Sequence, residues 1–344
     1  MIESFSKQMI TLEDMPFLSD LQSKSLSFEN HIAPRFHSTY FSLVSILTGD
    51  SDGKLNSSNS FFKDFLNAGY SVSFFFGDSK NMFNWEDFFK QSGVFHISKK
   101  EYLKDTGRKE DIDIDGNIFE DVFLKYSVKK LKSGKVGEPP FFMTILTNQI
   151  HYPYYCSKST NTTSSSLKKI KDCAKHVDSA IKDFFKEIEN TTWFNKTLFV
   201  FTADHPNYYF WKDPVNYFSK RNIPLIFYHP NKDLSKYKDD QISSHIDIIP
   251  SLIDYLNLSK KNNLIQNSVF DLNNKRRFFI KKDRGYVLIE DNYLTEYNCQ
   301  TKQSTTYLKA QTGEIKNLFN EEIIKKQDKL IKSYIQYKSL MENN

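Results

Sequence analysis

Cysteine is scarce in this chain, with only Cys156, Cys173 and Cys299. Their wide spacing makes neither a disulfide framework nor a C-x-x-C metal knuckle. An odd count leaves at least one thiol free, so cysteine usage leaves the redox compartment open. Long hydrophobic runs are also missing, and no apolar stretch approaches the roughly 20 residues that a membrane helix needs. Met1 is followed at once by Ile2 and Glu3 without a signal-peptide pattern, so the chain as written reads as a soluble domain. Charge of one sign is not concentrated anywhere. The 47 Lys and Arg against 42 Asp and Glu are spread along the chain, with short basic runs only at Lys129 to Lys135 and Lys275 to Lys282. That diffuse pattern argues against a nucleic-acid partner. No internal repeat occurs, and low complexity is confined to the Ser/Thr/Asn-rich Ser157 to Ser166, read as a loop over or beside a site.

What is present suffices for a large core, since 39% of the residues are hydrophobic and 15% aromatic. Four apolar runs are continuous rather than alternating, as strands buried on both faces are: Ser71 to Phe76, Phe141 to Leu146, Thr197 to Thr202 and Pro224 to Tyr228. Between them Leu167, Ile170, Ala174, Val177, Ile181, Phe184 and Ile188 recur at helical spacing, with Lys and acidic residues on the opposite face. The alternation predicts an α/β fold with a central, mostly parallel sheet flanked by helices. From about Lys275 the pattern changes to short alternating segments and a final charged helix near Glu321 to Met341. Two units are expected, residues 1–270 and a small antiparallel subdomain with its terminal helix, residues 271–344.

In such sheets ligands bind beyond the carboxyl ends of the strands, so the polar residues after each apolar run matter first. Thr147 to His151 follow one run, and Thr202-Ala203-Asp204-His205 close another. A hard carboxylate next to an imidazole suits Mn²⁺ or Zn²⁺, although the pair taken alone better fits a strand-end Asp capping a turn beside a partly buried His. Ser38-Thr39 precedes an apolar stretch from Tyr40 to Leu47 that reads as a buried helix ending at Gly49, so Thr39 sits at a helix N-terminus. His245 lies just ahead of a helix expected to start near Pro250, where positive helix-end charge and a proton donor suit an anionic oxygen.

The order of these segments resembles the alkaline phosphatase and sulfatase superfamily, and within it the lipoteichoic acid synthase and phosphoethanolamine transferase branches. The resemblance runs through Glu3-Ser4-Phe5, Met15-Pro16-Phe17-Leu18, Ser38-Thr39 with Leu47-Thr48-Gly49, His151-Tyr152-Pro153-Tyr154, Thr202 to His205, and His245 to Leu252. It is faint from Ser268 to Leu318, where Thr312-Gly313-Glu314 looks like the family's closing segment. It implies that Glu3, Thr39, Asp204 and His205 hold one divalent metal ion, Mn or Zn with Mg also possible. Thr39 would be the nucleophile, forming a covalent phospho-threonine, and His151 and His245 would contact the phosphoryl oxygens or the leaving group. The implied activity is a metal-dependent phosphotransferase or hydrolase acting on phosphoesters or phosphodiesters, with a phospholipid or phosphorylated glycan as substrate. By the same resemblance it would work at the extracytoplasmic face of a bacterial membrane or in the periplasm, near the membrane through an N-terminal anchor not in this sequence.

Three departures bear on specificity. Sulfatases proper carry C/S-x-P-x-R where this chain has His37-Ser38-Thr39-Tyr40-Phe41, which disfavours sulfate ester hydrolysis. The glycerophosphate-transferring branch shows Phe-Trp-Asn-Arg, and here Met82-Phe83-Asn84-Trp85-Glu86 puts Trp85 where the arginine is expected. Only Met1 and Ile2 precede Glu3, so the chain reads either as a trimmed form of a longer membrane-anchored protein or as a divergent soluble member. A sulfatase-like or phosphomonoester hydrolase and a catalytically inactive truncated relic are the alternatives. Arg35 and His37 are further candidates for reaching a substrate anion, because they lie just before Thr39.

Overall fold

The computed structural model describes residues 1–344 apart from 36, 52, 54, 56–59, 78–84, 135, 137–138, 158–163, 211–216, 259–266, 310–314 and 343–344. Parts of the Ser157 to Ser166 loop and of the Met82 to Glu86 segment, and all of Thr312-Gly313-Glu314, therefore lie outside the described residues.

The apolar runs pair as a central sheet. Ser71–Phe76 lies between Phe95–Ile97 and Phe141–Leu146, parallel to both. The first residues of the chain continue the sheet: the Met1 nitrogen donates to the Ile145 carbonyl at 2.7 Å, and Thr147 N donates to the Met1 carbonyl at 3.0 Å. On the other side Ile2 bridges Ala203 in parallel, and its amide donates to the Thr202 carbonyl at 2.8 Å. The sheet then runs through Phe199–Thr202, Leu225–Tyr228 and the short Leu26–Ser27, with Leu225–Tyr228 antiparallel to both of its neighbours.

The continuous apolar character of these strands follows from helices on both faces. Phe74, Phe76, Leu225 and Phe227 point into one cluster with Leu43, Leu47, Phe89 and Ile249. Phe75 and Ile226, one residue out of phase, enter other clusters on the opposite face, Ile226 beside Ile170, Val177 and Phe185 of the Ser166–Ile188 helix. The protein is thus an α/β structure with a mostly parallel sheet sandwiched between helices.

Helix Thr39–Thr48 starts as its sequence suggests, with the Ser38 hydroxyl accepting from Phe41 N, and stops at Gly49 in the left-handed region at φ 66°. The helix expected from Pro250 begins five residues earlier, spanning His245–Tyr255. The Asp247 carboxylate accepts the Ser244 amide at 2.9 Å and closes the first turn there, which leaves Pro250 inside the helix.

The C-terminal segments form a separate antiparallel sheet: Arg277–Lys282, Gly285–Glu290, Tyr293–Asn298, Gln303–Lys309 and Ile315–Asn317. One face carries helix Glu321–Glu342, whose Tyr334 stacks on Phe279 at 3.8 Å between ring centroids. The other joins the main body through a shared cluster in which Phe278, Ile280, Val287 and Ile289 pack with Ile32, Phe218 and Ile246. Gly285 is required in the first hairpin, because a Cβ there would stand 1.8 Å from the Tyr297 carbonyl oxygen. Among the described residues no helix is long and apolar enough to cross a membrane.

Candidate active site

Four side chains from three stretches of chain, Glu3, Thr39 and the pair Asp204-His205, meet at the carboxyl end of the central sheet. Glu3 follows the short N-terminal pairing, its amide donating to Thr147 Oγ1 at 3.1 Å. Ser4, at φ 49°, turns the backbone so that its amide donates to Asp204 Oδ1 at 2.8 Å and its hydroxyl to Glu3 Oε1 at 2.9 Å. A non-glycine residue in the left-handed region costs energy, and here the strained turn aims two groups at the site. Phe5 N donates to the His205 carbonyl at 2.8 Å and locks the two loops together.

Asp204 and His205 leave the end of strand Phe199–Thr202. Asp204 is fully buried, and Oδ1 also accepts the His205 amide at 2.7 Å. Burial, the largest influence on its carboxyl, works against ionisation. The nearby His205, the approaching Glu3 and Thr39 side chains and the Ser4 amide outweigh it, so the carboxyl is held below the usual carboxylate range. His205 Nε2 stands 3.5 Å from Glu3 Oε1 and 3.4 Å from Asp204 Oδ2. Thr39, the first residue of its helix, donates from Oγ1 to Glu3 Oε2 at 3.3 Å.

One carboxylate oxygen each from Glu3 and Asp204 and one imidazole nitrogen of His205 lie within 4.8 Å of one another. Asp204 Oδ2 is buried with no hydrogen-bond partner. A buried, ionised oxygen without a donor is costly unless something positive faces it. Two carboxylates, an imidazole and an adjacent hydroxyl form a donor set that fits a divalent cation.

The two remaining sequence candidates, His151 and His245, are not part of that donor set. His151 is exposed on the loop after strand Phe141–Leu146, its Nδ1 2.7 Å from the Tyr152 carbonyl, and it adds no atom to the Glu3–Asp204–His205 cluster. That loop is well braced. The Glu120 carboxylate accepts the amides of Asn148 at 2.9 Å and Gln149 at 3.3 Å, and the Gln149 side-chain oxygen accepts the Glu120 amide at 2.8 Å. A disulfide between Cys156 and Cys173 ties the same connection to helix Ser166–Ile188 and leaves Cys299 as the free thiol.

His245 is fully buried behind the site, with Nε2 2.8 Å from the Ala203 carbonyl oxygen. A carbonyl only accepts, so Nε2 carries the proton. Burial lowers its pKa to about 4 and keeps the ring neutral. It therefore supports the peptide just before Asp204 and faces away from solvent.

Trp85 is also a packing residue, stacked on Phe89 with centroids 5.7 Å apart and touching Tyr40 at 6.0 Å. Sequence reasoning overlooked Ser4, Glu120 and Arg221. Arg221 lies in a stretch without a motif; its guanidinium sits over the Tyr217 ring at 3.7 Å and donates to the Tyr217 carbonyl at 3.1 Å.

Comparison with known proteins agrees with this architecture. Residues 1–258 match the Sulfatase family. The lipoteichoic acid synthase-like protein YvgJ of Bacillus subtilis is 22% identical over 90% of this chain, and the chain spans 54% of that relative's length. Lipoteichoic acid synthase LtaP from Listeria monocytogenes superposes with a TM-score of 0.81 at 14% identity, covering 100% of this chain and 91% of that one. Phosphonate monoester hydrolase SpPMH from Silicibacter pomeroyi gives 0.69 at 15% identity, covering 100% and 94%. The chain belongs to the sulfatase family, and it has the fold of the alkaline phosphatase superfamily.

Proposed function

With sulfatase-family membership as the premise, we propose that this protein is a metal-dependent phosphotransferase or hydrolase that works through a covalent phosphoester on Thr39. The observation that carries the reading is the convergence of Glu3, Thr39, Asp204 and His205, drawn from three separate stretches of chain onto one sheet end. Mn²⁺ or Zn²⁺, with Mg²⁺ as a third choice, would be held by Glu3, Asp204, His205 and Thr39. When bound there, the cation would supply positive charge favouring the ionised threonine hydroxyl and the anionic oxygens of the transition state.

The chain's own groups do the rest. Thr39 Oγ1 forms the new bond to phosphorus while the bond to the leaving alcohol breaks. The hydroxyl proton already points to Glu3 Oε2, from which it reaches the leaving oxygen or solvent. The amide-rich start of helix Thr39–Thr48 adds partial positive charge beside the phosphoryl group. In the second half an alcohol or water displaces Thr39 and restores its hydroxyl. No histidine base is needed for the first half, consistent with the burial of His245. The substrate is an ester or diester of phosphate, a lipid head group or cell-envelope polymer, met on the extracytoplasmic side, where the Cys156–Cys173 disulfide persists.

The test is intact-mass measurement after incubation with Mn²⁺ and mixed phospholipids, with peptide fragmentation to locate any adduct. An adduct on Thr39 is expected, its mass naming the group transferred, and Thr39→Ala should lower turnover by about 10⁴ or more. Unchanged metal-dependent turnover in Thr39→Ala would defeat the reading. Absence of both adduct and metal would favour an inactive relic.

A further inference from the structure

The sheet edge that carries the Glu3–Asp204–His205 cluster also carries an exposed aromatic patch. Tyr152, Tyr208, Tyr209 and Leu167 are 68%, 52%, 41% and 45% exposed, high values for large side chains gathered on one surface. They come from three segments. Tyr152 sits on the loop after strand Phe141–Leu146, Tyr208 and Tyr209 open the short turn Tyr208–Phe210 just beyond His205, and Leu167 lies in the first turn of helix Ser166–Ile188. Ring contacts join them through the buried Tyr154, whose centroid lies 6.0 Å from that of Tyr152 and 6.4 Å from that of Tyr209. Tyr208 and Tyr209 are 4.4 Å apart, and Tyr209 reaches the side chain of Ser166, next to Leu167.

Both loops are braced. Asn207 Oδ1 accepts the Tyr209 amide at 3.1 Å, the Asn207 amide donates to Ser6 Oγ at 2.9 Å, and the Cys156–Cys173 bridge ties the Tyr152 loop to the helix. The rim of the patch is basic. Lys168, Lys169, Lys171 and Lys175 occupy the first turns of helix Ser166–Ile188 against a single acid, Asp172. Asp14 approaches from the N-terminal segment and is met by Lys171 Nζ at 3.4 Å and Lys175 Nζ at 3.6 Å. Lys168 is exposed, and Lys169 Nζ lies 5.7 Å from the centre of the Tyr155 ring.

Tyrosines beside an aliphatic side chain and a row of lysines make up a surface suited to a bilayer interface, where phenol rings sit at head-group depth and lysines reach lipid phosphates. A sugar platform asks instead for an open, flat ring face. Here the Tyr152–Tyr154 and Tyr154–Tyr209 planes meet at 84° and 70°, and stacking on a sugar would leave Leu167 and the lysines without a role.

We propose that this patch docks the protein on an anionic phospholipid surface, with the edge that carries Thr39 turned toward the head groups. This deepens the reading above and rests on it only for what is done with the head group.

Co-sedimentation with vesicles of phosphatidylglycerol and phosphatidylcholine in equal parts, and of phosphatidylcholine alone, tests the docking without asking for turnover. The parent is expected to bind the mixed vesicles at least about tenfold more tightly than the neutral ones, and less tightly as salt is raised. The variants Y152S/L167S and Y208S/Y209S replace exposed side chains, and circular dichroism checks their fold. Each should lower affinity for the mixed vesicles about tenfold. Lys168→Glu should lower it about fivefold or more, with a shallower salt dependence. Phe319→Ser, which removes an 86% exposed ring from the C-terminal unit, and Thr39→Ala should bind as the parent does. A parent that does not prefer the anionic vesicles, unchanged affinity in either patch variant, or an equal loss in Phe319→Ser would overturn the docking. Retention on a dextran matrix that is lost in Y208S/Y209S, without vesicle binding by the parent, would reassign the patch to carbohydrate. The Thr39 adduct is read separately: an adduct without patch-dependent binding removes the docking and leaves the reaction, and the reverse pattern removes the reaction and leaves the docking.

Discussion

His245 Nε2 donates to the Ala203 carbonyl at 2.8 Å, across 42 positions of sequence, and so fixes the peptide unit that presents Asp204. The neighbouring ring of His31 packs edge-on at 5.8 Å, and its own Nδ1 lies 2.9 Å from the Ser243 hydroxyl. The two imidazoles form a neutral, buried support beneath the candidate metal site.

His245→Ala should therefore destabilise the fold by about 2–4 kcal/mol, because it leaves a buried carbonyl without its donor and opens a cavity. Metal affinity should fall with it. His245→Gln, which can still donate, should recover part of both. Urea denaturation and metal titration on the two variants decide the matter; parental values for His245→Ala would show that the contact positions nothing.

Removing the proposed cation has a separate expected signature. A ligand that binds only the folded state stabilises it by about 2.7 kcal/mol when present at 100 times its dissociation constant. Chelation should lower the melting temperature of the parent protein, and re-addition of Mn²⁺ or Zn²⁺ should restore it. Asp204→Asn, which weakens a fully buried candidate ligand, should show a much smaller metal-dependent shift. Equal shifts in the two proteins would place the cation elsewhere.

Glu120 gives a pH dependence of known sign. Burial pushes its pKa up to about 7 from the ordinary 4.5, against the opposing pull of the Asn148 and Gln149 amides. The folded state thus binds the proton more tightly than the unfolded chain. The associated stability is full below about pH 4.5 and is lost as pH rises through about 7, at up to about 1.4 kcal/mol per pH unit. The stability of the parent relative to Glu120→Gln should fall over that interval and then level off. Parallel profiles from pH 4.5 to 8 would mean that Glu120 titrates normally.

The disulfide closes a short loop, with 17 positions separating Cys156 and Cys173, and a loop of that size is worth about 3 kcal/mol in the chain-entropy account. Reduction, or a Cys156→Ser and Cys173→Ser double variant, should lower stability by about that amount. Faster amide exchange should follow around Tyr154 to Cys156, which the bridge ties to helix Ser166–Ile188. A melting temperature indifferent to reductant would argue that the bridge is not formed in solution.

Some of this was legible in the residues because it is local. Ser71 to Phe76 and Phe141 to Leu146 read as strands because their apolar residues run on without regular polar alternation; the first is buried from Val72 onward, whereas in the second only Leu146 is buried. Thr39 read as a helix start because Ser38 caps and Gly49 terminates. Asp204 and His205 were visible as a donor pair because they are adjacent in the chain, and the order of motifs tied them to Glu3 and Thr39.

The chain's own chemistry thus determined which strands and helices form and which donor types could serve a metal, since side-chain periodicity, capping and donor hardness are properties of neighbours in sequence. Only the tertiary structure decided which of those groups meet. Pairing of Met1 and Ile2 between two strands brings Glu3 to Asp204, and the Asp247 carboxylate on the Ser244 amide starts helix His245–Tyr255 early and turns His245 inward. Cys156 finds Cys173, and Arg35, Arg221 and the Lys281 hairpin close on one cleft. These are encounters between segments far apart in sequence, Ile2 with Ala203 and Arg35 with the Lys281 hairpin among them, set by how sheets and helices bury their faces, and no local pattern encodes them.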